Sequence, residues 1–188
     1  MNIVIVGCGN VGYNLAEQLS SEKHEITLVE TDRERLKYVT DTIDVQGVSD
    51  NGVNYSVLKE AGVPEADLFI AVTNEDETNM ISCLMASSMS KCRTIARVRN
   101  PLYYNNMWHI RRKLGLSMYV NPEMEAAREI ERLIQIPSAI DVDVFRKSNV
   151  NMISFNIEEG SQLDGIAIKD VRNKLNADML VPMVERGE

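Results

Sequence analysis

Short apolar runs alternate with stretches of helical spacing along most of the chain. Ile3-Val4-Ile5-Val6, Glu25 to Glu30, Asp44 to Val48, Leu68 to Val72, Thr94 to Val98 and Met118-Tyr119-Val120 predict six strands. The first and fourth are nearly continuous in Val, Ile, Leu and Phe, as strands buried on both faces are. Between the strands, Asn10 to Ser20, Asp32 to Asp41, Val53 to Gly62, Asp76 to Lys91 and Tyr103 to Leu114 predict helices. Asp32 suits an N-cap, and Gly62 with Pro64 beyond it suits a helix stop. In the fourth helix Met80, Ile81, Leu84, Met85 and Met89 fall on one side, a face suited to core or to a dimer contact. Strand–helix alternation implies a parallel sheet covered on both faces, a Rossmann-like doubly wound α/β fold with its ligand at the carboxyl ends of the strands.

A further helix is expected over Met124 to Gln135, stopped by Pro137. Beyond Asp141 the pattern changes to short β-type pieces (Val142–Phe145, Met152–Ile157, Met179–Val181) with a helix-like Lys169–Leu175 among them. The reading is a nucleotide-binding domain over residues 1–136 and a partial α+β domain over 142–188, truncated at its end.

Charge and cysteine usage narrow the classes. Net charge is −8, a poor match for nucleic acid, whose phosphates would be repelled. The basic clump Arg111-Arg112-Lys113 reads as a solvated helix face. Cys8, Cys83 and Cys92 are odd in number and widely spaced, which suits neither a disulfide framework nor a metal site and points to a reducing compartment. No apolar run approaches the ~20 residues of a membrane span, and no leader pattern opens the chain.

Candidate chemistry begins at Gly7-Cys8-Gly9-Asn10-Val11-Gly12, which fits G-x-G-x-x-G. Its context strengthens it: a strand before, a helix after, and Glu30 ending the second strand about 20 residues beyond Gly9. Gly7 permits the tight turn, Gly9 a close backbone approach to phosphate, and Gly12 close packing of helix on strand. The helix start offers free N–H groups to that phosphate. Glu30 is expected to accept both ribose hydroxyls and to repel a 2′-phosphate, favouring NAD over NADP. Asn51-Gly52 after the third strand, Thr73-Asn74 after the fourth, and Arg97 and Arg99 at the end of the fifth line the same edge. Cys8 reads as a small loop residue. The acidic start Glu75-Asp76-Glu77 complements a helix dipole.

A dehydrogenase needs an acid/base group beside a nicotinamide. His24 precedes the second strand, on the far edge of the sheet, and His109 lies on a late helix. Tyr55 and Lys59 have Tyr-x-x-x-Lys spacing but fall too early in the fold. A small NAD-dependent oxidoreductase is therefore the weaker alternative.

These residues resemble the TrkA family, the KTN/RCK domains that serve as peripheral regulatory subunits of Trk/Ktr-type potassium uptake systems. The matching stretches are Ile5 to Gly12, Val29-Glu30-Thr31-Asp32, Val57 to Gly62, Ala71 to Met80, Ile95 to Pro101 and Asn121-Pro122-Glu123. The tail from Val142 resembles the opening of the family's C-terminal RCK domain. The resemblance implies a non-enzymatic cytoplasmic subunit, peripheral on the inner face of the membrane. It implies a homodimer, assembled further into a ring, that gates a membrane potassium transporter or channel in response to NAD(H) or ATP/ADP. It also implies ligand contacts at Gly7, Cys8, Gly9, Asn10, Val11, Glu30, Asn51, Gly52, Thr73, Asn74 and Arg97, with Arg99 and Glu123 as secondary positions. Two departures stand out: Glu30 where many members carry Asp, and Asp50-Asn51-Gly52 where many read Gly-Asp-Ala.

Overall fold

The computed structural model describes residues 1–135, 141–144, 151–176 and 178–186. The chain divides into two compact units, Met1–Ala127 and Arg128–Glu188. The boundary expected near 136–140 falls outside the described residues.

The first unit is built on a six-stranded parallel sheet: β1 (Asn2–Val6), β2 (Glu25–Val29), β3 (Gln46–Val48), β4 (Leu68–Ala71), β5 (Arg93–Arg97) and β6 (Met118–Val120), in the order β3-β2-β1-β4-β5-β6. β1 lies at the centre, with Val4 beside Thr27 of β2 on one flank and beside Phe69 of β4 on the other. The chain winds outward from β1 through β2 to β3, then returns to β4 and winds the other way. The switch point therefore lies between the carboxyl ends of β1 and β4, where ligands of this fold class sit.

Alternation along β1 feeds two cores. Ile3 and Ile5 pack with Ala16, Ile26, Leu28, Leu36 and Val39 on one face, under helices α1 (Asn10–Ser21) and α2 (Arg33–Thr42). Val4 and Val6 pack with Leu58, Phe69, Cys83 and Met107 on the other, under α3 (Tyr55–Glu60) and α4 (Asp76–Met89). Burying a side chain of this size removes it from water at a gain of about 1.5–3 kcal/mol. Asp32 caps α2 as expected, accepting the Glu34 and Arg35 amides, and Gly62 follows α3 in the left-handed conformation.

Several details depart from the sequence pattern. The helix expected over Tyr103–Leu114 is two short pieces, α5 (Pro101–Tyr104) and α6 (Met107–Ile110). Asn106 Nδ2 donates to the Leu102 carbonyl at 2.8 Å, taking the acceptor that the Asn106 amide would use in a continuing helix. That amide bonds to Tyr103 instead, and the helix breaks.

Next, α4 buries Asp76, Asn79, Ser82, Cys83 and Ala86, while Ile81 and Leu84 are exposed and Met80, Met85 and Met89 only partly buried. Its inward face is the small and polar one.

Finally, no strand occupies Met179–Val181; residues 178–186 are irregular. α7 (Pro122–Gln135) starts two residues earlier than expected. Asn121 holds its first turn, its Oδ1 accepting the Met124 amide at 3.0 Å.

In the second unit β7 (Asp141–Val144) pairs antiparallel with β8 (Asn151–Ser154), Val142 opposite Ile153. The expected Phe145 is outside the described residues, and residues 155–158 are irregular. Helix α8 (Ile168–Leu175) ends on Asn176 in the left-handed region. Among the described residues no helix is long and apolar enough to cross a membrane.

Candidate nucleotide site

The turn after β1 is shaped by its glycines. Gly7 has φ +96°, and a Cβ there would lie 2.8 Å from the Thr73 amide nitrogen. Both the left-handed backbone and the close approach exclude a side chain. A Cβ on Gly12 would lie 1.9 Å from the Gly7 carbonyl oxygen, so α1 can start this close to the turn only without one. Gly9 differs: a Cβ there would meet nothing within 4 Å. Its surroundings are open on the side where α1 begins. No side chain caps α1, and its first intrahelical bond runs from the Tyr13 amide to the Gly9 carbonyl. The amides of Asn10, Val11 and Gly12 come before that bond, so the helix start presents donors and partial positive charge outward.

Glu30 closes the other side. The last residue of β2, Val29, accepts the Gly7 amide at 2.9 Å, which brings the following Glu30 against the turn. Glu30 is buried at 9% exposure. Its Oε2 accepts the Cys8 amide at 2.7 Å. Its Oε1 accepts the Thr31 amide at 2.8 Å, the Asp32 amide at 3.0 Å and the Thr31 hydroxyl at 3.1 Å. Burial pushes the carboxyl pKa up, but the donors from Asp32, Cys8 and Thr31 outweigh it and hold the group below its ordinary value. Oε1 accepts three donors and Oε2 one, so Oε2 is the less engaged oxygen. Arg35 stands 3.9 Å from Oε2 and 3.5 Å from the Asp32 carboxylate, a basic neighbour that the sequence pattern did not single out.

Cys8 is buried, and burial together with the Glu30 charge pushes its thiol pKa up despite Arg35. It is a packed loop residue, poorly suited to thiolate chemistry.

The remaining walls come from β3, β4 and β5. Gly52 is buried, and a Cβ there would lie 2.2 Å from Val6 Cγ1; its place is decided by packing against β1. Asn51 is exposed and folds back on its own loop, its Oδ1 accepting the Val53 amide at 3.1 Å.

Past β4 and β5, α4 reaches along the fifth strand with three side chains. Asp76 Oδ2 accepts the Arg99 amide at 2.8 Å and the Asn100 amide at 2.6 Å. Asn79 Nδ2 donates to the Arg97 carbonyl at 3.0 Å. Cys83 Sγ donates to the Ile95 carbonyl at 3.5 Å. This polar seam explains why α4 leaves Ile81 and Leu84 exposed and its methionines only partly buried. The Arg97 guanidinium pairs with Glu123, so these two candidates meet within one chain. Burial raises the Glu123 pKa less than its own backbone amide and Arg97 lower it. Arg99 donates to the Asn74 carbonyl, and a cavity of about 400 Å³ opens beside Asn74, Asp76 and Arg99.

The structure thus brings Gly7 through Gly12, Glu30, Gly52 and Thr73 together around the β1–β4 switch point. It groups Asn74, Arg97, Arg99 and Glu123 at the β5 end. His109 stacks on exposed Trp108, and Tyr55 is exposed on α3. Asp76 and Asn79 were missed as site-building residues. An acid at a helix start and an Asn within the helix carry no signal that distinguishes them from surface polar groups.

A central parallel sheet with an uncapped glycine-lined helix start and an acid ending the second strand defines a Rossmann-type nucleotide-binding domain. Comparison with known proteins places it further. The TrkA-N domain family matches over residues 3–122, and the chain belongs to that family.

It is 40% identical over 171 residues to the Trk system potassium uptake protein TrkA homolog of Archaeoglobus fulgidus, covering 91% of this chain and 39% of that protein. It is 34% identical over 178 residues to the Trk system potassium uptake protein TrkA of Vibrio alginolyticus, covering 93% and 39%. The chain spans 34% to 43% of the length of the curated relatives it matches.

Among solved structures, the TrkA-N domain of inner membrane protein ybaL from Escherichia coli superposes with TM-score 0.63 at 24% identity, covering 71% of this chain and 96% of that one. The GsuK channel bound to NAD superposes with TM-score 0.55 at 22% identity, covering 63% and 21%. GsuK bound to ADP gives 0.58 at 21% identity, covering 73% and 34%. At these identities the likeness is one of fold.

Proposed function

We propose that this domain binds NAD(H), with ATP or ADP as the alternative ligand, at the β1–β4 switch point, and that it is the sensing part of a regulatory subunit of a membrane potassium transporter. The observation that carries the reading is the pairing of open space at Gly9 and an uncapped α1 with the Glu30 carboxylate fixed opposite. A diphosphate fits against the amides at the start of α1. A ribose hydroxyl fits against Glu30 Oε2, the less engaged oxygen, while a 2′-phosphate there would be repelled. Thr73 and Asn51 stand at the rims, and the Arg97–Glu123 pair at the far end. Gly7 packs closely on Thr73 and Gly52 on Val6, and neither position has room for a side chain.

The named relatives belong to potassium uptake systems, and that supports a transport role. The reading is accordingly regulation rather than hydride transfer. A nucleotide that binds two arrangements of an assembly unequally shifts their populations by its differential affinity. The protein is then a homodimeric or ring-forming peripheral subunit on the cytoplasmic face of the membrane.

Thermal melting with NAD, NADH, ATP and ADP tests the ligand. A ligand at about 100 times its Kd stabilises the folded chain by about 2.7 kcal/mol, so at least one of the four should raise Tm. A melting temperature unmoved by all four at millimolar concentration would overturn the reading.

A further inference from the structure

One buried side chain ties the β4 turn to the end of β5 without lining the nucleotide site itself. Asn79, the fourth residue of α4, is 0% exposed. A carboxamide has two N–H donors and two acceptor lone pairs, and here all four are used. Oδ1 accepts the Thr73 amide at 2.8 Å and the Thr73 hydroxyl at 2.7 Å. Nδ2 donates to the Thr73 carbonyl at 3.2 Å and to the Arg97 carbonyl at 3.0 Å. The Thr73 amide can only donate and the two carbonyls can only accept, so the orientation of the carboxamide is dictated by its partners. Thr73 in turn is the surface on which Gly7 rests.

We propose that Asn79 is a positioning residue for the nucleotide site. It holds Thr73 at the distance from β1 that leaves the glycine turn in its open form, and it locks that turn to the strand carrying Arg97. This rests on the nucleotide-binding reading given above. Asn79 acts through Thr73 and touches no ligand.

The side chain's four bonds supply a test that general stability cannot mimic. In Asn79→Asp, a protonated carboxylic acid keeps three of them: its carbonyl oxygen accepts both Thr73 donors, and its O–H reaches one of the two carbonyls. Once ionised, it faces two carbonyl oxygens with no proton to give. Burial and those carbonyls raise its pKa, so the clamp is lost on ionisation, above the ordinary carboxyl range.

The chain is titrated calorimetrically with NAD, NADH, ADP and ATP between about pH 5 and 9, which spans the raised carboxyl range. Circular dichroism confirms folding at each pH. The Asp variant should bind within about threefold of wild type at the acid end. It should bind at least about tenfold more weakly at the alkaline end, the worth of roughly one buried hydrogen bond. Asn79→Ser is too short to span both elements and should be weakened about tenfold or more, with the pH profile of wild type.

A folded Asp variant that binds like wild type throughout, or is weakened equally at both ends, overturns the inference. Should Asp fail to fold at alkaline pH, the Ser variant decides: weak binding supports the clamp and wild-type binding overturns it. A wild-type chain that binds none of the four nucleotides overturns the nucleotide reading and this inference with it. Wild type that binds, with variants that bind equally well, overturns the inference alone.

Discussion

Glu30→Gln probes the electrostatic centre of the site. The wild-type carboxylate accepts four donors: the amides of Cys8 at 2.7 Å, Thr31 at 2.8 Å and Asp32 at 3.0 Å, and the Thr31 hydroxyl at 3.1 Å. Glutamine has one oxygen. If that oxygen stays with Thr31 and Asp32, its NH₂ meets the Cys8 amide donor to donor. A buried donor left unpaired costs about 1–3 kcal/mol, and hydrogen bonds to a charged acceptor are worth about 1.5–3 kcal/mol against about 1 for neutral pairs. The expected loss at pH 7 is therefore about 3 kcal/mol, a fall in Tm on the order of 10 °C for a chain of this size.

The sign of the pH dependence follows from the lowered pKa of Glu30. A carboxyl whose folded pKa is depressed contributes its full stabilisation above the unfolded value, about 4.3. The contribution is lost as pH falls through the folded value. Glutamine does not titrate. The gap between wild type and variant in urea unfolding should be widest near neutrality and should close below about pH 4. A variant as stable as wild type at pH 7, or a gap that stays constant on acidification, refutes the reasoning.

Two further substitutions separate packing from binding. Gly9→Ala should leave stability within about 0.5 kcal/mol, because its Cβ meets nothing within 4 Å. The same methyl obstructs the approach to α1, so nucleotide affinity by calorimetry should fall about tenfold or more. Gly12→Ala, whose Cβ would lie 1.9 Å from the Gly7 carbonyl oxygen, should instead cost several kcal/mol in a denaturation curve; wild-type stability would show that the turn relaxes. Asp76→Ala strips the acceptor from the Arg99 and Asn100 amides and should destabilise by about 3 kcal/mol. A change under about 0.5 kcal/mol would mean that its bonds to the two amides contribute little and that it serves only to complement the helix dipole.

Much of the site was legible because its parts lie close in sequence. Gly7 through Gly12 form one turn, and the spacing to Glu30 is that of one strand–helix–strand unit. Register places Val6 beside Val29, so Glu30 had to arrive next to the turn. What it would bond there was not legible. An acid's partners are settled by where the neighbouring donors point, and three of its four donors are backbone amides, those of Cys8, Thr31 and Asp32, which every residue but proline carries. The helix over Tyr103–Leu114 was misjudged for a local reason: Asn106 competes for the Leu102 carbonyl, and spacing of apolar residues does not register that competition.

By itself the sequence determined the order of strands and helices, the placing of the glycine turn, and the sign of charge opposite it. These depend on period-two and helical patterns and on the backbone freedom of Gly7, all of which act over a few residues. Only the tertiary structure decided which face of α4 is buried. The outward Ile81 and Leu84 are more apolar than the inward Asp76, Asn79 and Cys83, yet the inward set wins. Asn79 and Cys83 bond to β5 carbonyls and Asp76 to the amides just beyond that strand, and such pairings, 12 to 24 positions apart, exist only once the sheet has assembled.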